Sequence, residues 1–226
     1  MSGTLTGFAY LIASVLFIFA LRGLSSPESA RQGNLYGISG MVIAIGTTLM
    51  DASVISFELI ILGIVLGGAA GTIIARKIQM TALPELVAAF HSLVGLAAVF
   101  VAVAAFYNPK AYGIGDFGAI NTASIIELSL GLAIGAITFS GSVVAFAKLN
   151  GLMSGNPITF NYQHGLNGLI AAIIVMLIVS LIGGQTEGVF WALMILSFTI
   201  GFLIIIPIGG ADMPVVVSML NSYSGW

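Results

Sequence analysis

Two side chains in this sequence could handle a proton in an apolar setting, His91 and Asn221. His91 follows Pro84 by seven residues, and a helix opening at that proline carries the imidazole about 10 Å below its end. An unperturbed imidazole titrates at about 6.5, so small changes in surroundings move its charge through the physiological range. Ionisable groups this deep in an apolar bundle are uncommon; they face its interior and mark ion or proton routes. Ala88, Gly95, Ala98 and Ala102 lie on roughly the same helical face, a small-residue stripe that turns His91 toward neighbouring helices. A hydrogen-bonded structural histidine is the plainer alternative. Asn221 stands seven residues after Pro214, so the two side chains are expected at similar depths. An amide donates and accepts, and can orient an imidazole or a water. Interhelical glue is the plainer reading of Asn221.

The remaining polar groups have mostly local explanations. Ser124-Ile-Ile-Glu127 has the spacing of a capping box, with Glu127 reaching back to the Ser124 amide; the alternative is a proton-accessible carboxylate near the outer surface. Pro84-Glu85 suits the first turn of a helix, where a fixed φ and a negative charge meet the positive dipole end. Asp51 and Glu58 belong to an outer interface. His164 follows a polar stretch and reads as interfacial; a b-type haem between His91 and His164 is disfavoured by their different depths. Gly113-Ile-Gly-Asp-Phe-Gly118 matches GxGxxG, but that fingerprint needs a strand before it and a helix opening on its last glycines. Here it falls in a loop after Asn108-Pro109, and is read as a decoy.

The elements that position these residues follow from composition. Hydrophobic residues are 59% of the chain and charged residues 6%, against about 25% charged in a soluble domain. Charge-free runs such as Met1–Leu21, Leu86–Pro109 and Leu128–Ala147 match the roughly 20 residues a helix needs to cross hydrocarbon. The short apolar–polar alternation of a membrane barrel is absent. The expected fold is therefore all-α, a polytopic transmembrane helix bundle. Seven complete spans are expected at about 4–21, 34–50, 57–75, 84–107, 123–147, 165–182 and 188–208, with an eighth starting at 214. Pro214 to Trp226 covers only about 20 Å as a helix, so the chain is expected to be part of a longer protein. Of six basic residues, Arg22, Arg31, Arg76, Lys77 and Lys148 fall at odd-numbered loops and Lys110 at an even one. The bias assigns odd loops to the cytoplasm and the N-terminus to the outside. Gly63, Gly67 and Gly71, Gly131 and Gly135, and Gly37, Gly40 and Gly46 suit close helix packing. Absence of cysteine excludes thiolate metal sites, iron–sulfur clusters and covalent c-type haem. A net charge of -2 from so few charged residues does not suggest a nucleic-acid partner. No basic stretch precedes the first apolar run, which reads as a retained span.

The string Gly209-Gly-Ala-Asp-Met-Pro-Val-Val-Val-Ser-Met-Leu-Asn-Ser-Tyr-Ser-Gly-Trp226 resembles the membrane domain of the proton-translocating nicotinamide nucleotide transhydrogenase β subunit. Pro84–Val99, Gly141-Ser-Val-Val-Ala-Phe146 and Gly33–Gly40 are similar to the same family. The resemblance implies a bacterial cytoplasmic-membrane protein that couples inward proton movement to hydride transfer from NADH to NADP. It implies that His91 is the protonation site, that Asn221 lies beside it, and that Ser142 lines the channel. Asp212 would sit at the cytoplasmic mouth. Residues 1–226 would form the transmembrane proton-translocating domain, with no cofactor or metal of its own. An NADP-binding domain, a separate NAD-binding segment and further spans would complete an enzyme that works as a dimer in lipid. Two readings compete with this one. A proton-coupled secondary transporter predicts inverted repeats around a polar midplane site, and no convincing repeat is visible. A membrane anchor subunit of a respiratory complex predicts bound haem or quinone. Neither accounts for the Gly209–Trp226 string.

Overall fold

Long apolar runs punctuated by glycine and proline fold as helices, and a computed structural model describes them at residues 3–50 and 56–225. Asp51 and Trp226 lie outside the described residues. The chain divides into two compact units, Met1–Ala75 and Arg76–Trp226. Among the described residues six helices are long and apolar enough to cross a membrane, which makes this a multi-pass membrane protein.

In the first unit, α1 (Gly3–Leu24) and α2 (Ala30–Leu49) form a helical hairpin. Their backbones meet at Gly23 and Gly33, and a Cβ on Gly40 would lie 3.1 Å from the Ala13 carbonyl. Tyr10 Oη and Thr48 Oγ1 join the other end at 2.8 Å. Helix α2 begins four residues before the expected 34, because a helix can extend past the apolar slab and carry Arg31, Gln32 and Asn34 in its first turns. That polar start keeps α2 out of the six apolar spans. Helix α3 (Glu58–Lys77) is apolar on every side and has no buried residue. Its Gly63, Gly67 and Gly71 meet nothing within 4 Å, so the expected close packing is not made among the described residues.

The second unit is built on α5. Helix α4 (Leu83–Tyr107) opens with Pro84 and Glu85 in its first turn, as expected. Beyond it come a single 3-10 turn at Pro109–Tyr112 and a two-stranded antiparallel hairpin, β1 (Gly115–Asp116) with β2 (Ala119–Ile120). Then follow α5 (Thr122–Leu149), α6 (Gln163–Gly183), α7 (Glu187–Ile205), a 3-10 turn Gly210–Asp212 and α8 (Met213–Ser224). Helix α5 packs against α4, α6, α7 and α8. Glycines allow the tightest crossings. A Cβ on Gly95 of α4 would come 2.6 Å from the Phe139 amide nitrogen and 2.7 Å from the Gly135 carbonyl of α5. Toward one end, Phe106 stacks on Phe190 at 4.1 Å, and Gln185 clasps both backbone groups of Ile120. Toward the other, Ala88, Val144, Ala145, Ile205, Met213, Val216, Val217 and Leu220 form a second apolar cluster.

The GxGxxG stretch is the hairpin itself. Gly113, Gly115 and Gly118 have φ of 66°, 134° and 77°, backbone geometry that side-chain-bearing residues rarely adopt. The capping box is corrected: α5 begins at Thr122 after Asn121, so Ser124 already lies inside its first turn and makes no cap.

Candidate functional site

Helix α4 delivers His91 to the interior of the second unit, where it is 7% exposed. Its small-residue face lies against α5, with Ala88, Gly95 and Ala102 buried. Two serines from two other helices close on the ring. Ser142 of α5, fully buried, places Oγ 2.9 Å from Nδ1. Ser224 of α8 places Oγ 3.1 Å from Nε2. The imidazole therefore ties together three helices that enter the bundle from different points in the chain.

The hydroxyl protons constrain the tautomer. Ser224 Oγ donates to the Asn221 carbonyl at 3.0 Å, and a hydroxyl has one proton to give. With that bond made, Ser224 accepts from Nε2–H and Ser142 Oγ–H donates to Nδ1; with the Ser224 proton turned to the ring instead, the two ring nitrogens exchange roles. When the ring takes a second proton, both ring nitrogens donate, and the hydroxyl that was donating must turn its hydrogen away. The site holds either charge state with one hydroxyl rotation.

Asn221 is placed differently from the sequence expectation. Its side chain is exposed, and its contribution near the ring is the backbone carbonyl that takes the Ser224 proton. The α8 group that reaches His91 is Ser224, three residues further on. A serine carries no hydropathy or charge signal, so Ser224 was visible only as part of the quoted string.

Asp212 ends the 3-10 turn before α8 and is exposed. It shares that end of the unit with Glu85, whose Oε2 accepts from Asn150 Nδ2 at 2.8 Å. Glu127 is exposed near the opposite end. With Ser124, Tyr112, Ala98 and Gly131 it lines a cleft of about 450 Å³ between α4 and α5. A smaller pocket of about 110 Å³ is lined by Ala98, Gly131, Gly135, Thr138 and Ser224. The two share Ala98 and Gly131, with Glu127 lining the first and Ser224 the second. His164 is exposed at the start of α6, and both nitrogens of His91 already have serine partners.

The GxGxxG glycines shape a hairpin instead of a strand-to-helix turn.

Over residues 6–226 the sequence matches the profile of the NAD(P) transhydrogenase beta subunit. The NAD(P) transhydrogenase subunit beta of Rhodospirillum rubrum, found for the species and again for one of its strains, is 62% identical over 226 residues. That alignment takes in 100% of this chain and 49% of the relative, so the chain spans about half the length of these curated relatives.

Proposed function

Since the chain belongs to the NAD(P) transhydrogenase beta subunit family, we propose that residues 1–226 form its transmembrane proton-translocating domain, with His91 as the group that takes and releases the proton. The observation that carries this reading is a buried imidazole held by hydroxyls from two other helices. Such a ring can change charge without a large rearrangement of its neighbours.

Protons enter from the outer side past Glu127, along the α4–α5 cleft to Ser224 and His91. Ser142 reorients as Nδ1 fills, and Asn221 holds the Ser224 hydroxyl through its carbonyl. Release is inward, toward the corner that carries Asp212. The charge of His91 biases how that corner engages a nucleotide-binding domain, a local electrostatic change with a remote readout. In the complete enzyme, inward proton movement drives hydride transfer from NADH to NADP. The NADP-binding domain, the NAD-binding segment and further spans belong to parts this chain does not cover, and the assembly is a dimer in the bacterial cytoplasmic membrane. Helix α2 crosses despite its polar start, giving seven spans and an eighth begun by α8, with the N-terminus outside.

The test is His91→Ala in the complete enzyme, reconstituted in vesicles, with proton pumping and hydride transfer followed together. Pumping is expected to fall at least about a hundredfold, as for loss of a positioned acid–base group. Undiminished pumping would remove His91 from this role.

A further inference from the structure

The last turn of a helix leaves carbonyls without intrahelical partners, and they form the negative end of its dipole. At the cap of α7 and in the turn just beyond it, carbonyls are met by a cation from another helix. Lys148, in the last turn of α5, is 5% exposed. Its Nζ donates to the carbonyls of Ile206 and Ile208 at 2.6 Å each and to that of Asn156 at 3.4 Å. An ammonium has three protons, and all three have acceptors. Among the described residues no carboxylate contacts it, and the acceptors are all backbone.

The same corner is tied from a second direction. Ile158 N donates to Ile206 O at 3.3 Å and Gly210 N to Gly155 O at 2.8 Å, so the α5–α6 loop and the α7–α8 turn are laced together. Helix α8 starts three residues after Gly210, at Met213. Along α8, Leu220 packs on Gly141 of α5, where an added Cβ would meet its Cδ1 at 3.1 Å. The helix ends with Ser224 on His91. On α5, Ser142 precedes Lys148 by six residues, about 9 Å along the axis. One helix therefore holds Nδ1 of the imidazole and also anchors the base of the helix that holds Nε2.

We infer that Lys148 is a positioning residue for the His91 site: by fixing the α7–α8 corner to α5 it sets how far α8 reaches along the bundle, and so whether Ser224 meets the ring. The inference rests on the proposed proton role of His91 only for its consequence. Its geometric content concerns the ring's hydrogen bonds alone.

The experiment is ¹⁵N NMR of histidine-labelled full-length protein, with His91 assigned by its disappearance in His91→Gln and His164 as an internal control. Native protein is expected to give the Nε2–H tautomer with Nδ1 accepting. Lys148→Met, which keeps length and removes the donors, is expected to shift His91 toward a mixed tautomer while His164 stays unchanged. Lys148→Arg is expected to restore the native signature, and pumping should fall about tenfold or more in the Met variant alone. A folded Lys148→Met protein with unaltered His91 signals overturns the inference. If Lys148→Met does not insert, Lys148→Gln takes its place. Failure of both to fold also overturns it, since Lys148 would then serve folding in general. Intact pumping in His91→Gln sinks the relay reading, while the tautomer result still decides the role of Lys148.

Discussion

A buried imidazole is defined by what touches each nitrogen, and here the two contacts differ in kind. Ser224 has a second acceptor in the Asn221 carbonyl, which favours its accepting from the ring, whereas Ser142 is free to donate. Ser224→Ala removes the acceptor at Nε2 and should favour the opposite tautomer, with Nδ1–H donating to Ser142. Asn221→Ala keeps the backbone carbonyl and should leave the tautomer as it is, whatever it does to pumping. Histidine NMR separates the two, and equal tautomer shifts in both would contradict the assignment. Losing one such bond costs about 1 kcal/mol of stability, so both variants should fold. His91 was legible in the sequence because a lone histidine deep in an apolar run is rare. Ser224 was not. Which α8 residue reaches the ring depends on the axial position of that helix, which the α7–α8 corner sets by backbone contacts.

Helix limits were the most legible feature, since run length against bilayer thickness leaves little freedom. Packing partners were less so. The doubled GxxxG of α3 meets nothing within 4 Å, whereas Gly95 and Gly135, each on a different helix, bring α4 and α5 backbone to backbone. A glycine motif states that close approach is allowed, not with what. The capping box failed for a related reason: its spacing was right, but Asn121 starts the helix earlier. The seam one turn past His91 makes a sharp prediction. Gly95→Ala drives a methyl into backbone that cannot swing aside, and should cost about 1–3 kcal/mol by overpacking. Gly131→Ala, with nothing within 4 Å of the new methyl, should be neutral or slightly stabilising through helix propensity. Thermal unfolding in detergent compares them directly. Equal midpoints would mean that the two helices are not in backbone contact there.

For the molecule as a whole, orientation rests on where cations fall, and the contacts refine that count. Lys148 is buried on carbonyls and so contributes little to the surface charge of its end. Arg22, Arg31, Arg76 and Lys77 remain exposed on the same expected side. The exception, Lys110, pairs with Asp116 at 2.8 Å in an exposed position. With Lys148 discounted, four basic residues at odd loops still stand against Lys110 at an even one, a bias that predicts odd loops in the cytoplasm. The absence of native cysteine from the chain makes this directly testable. Ala111→Cys lies beside the β-hairpin and Ser154→Cys in the α5–α6 loop, both at exposed positions. In intact cells, a membrane-impermeant maleimide given access to the outer face should label Ala111→Cys. Ser154→Cys should react only after the membrane is opened. The reverse pattern would invert the bundle and put Glu127 on the cytoplasmic side, which contradicts the proposed inward route.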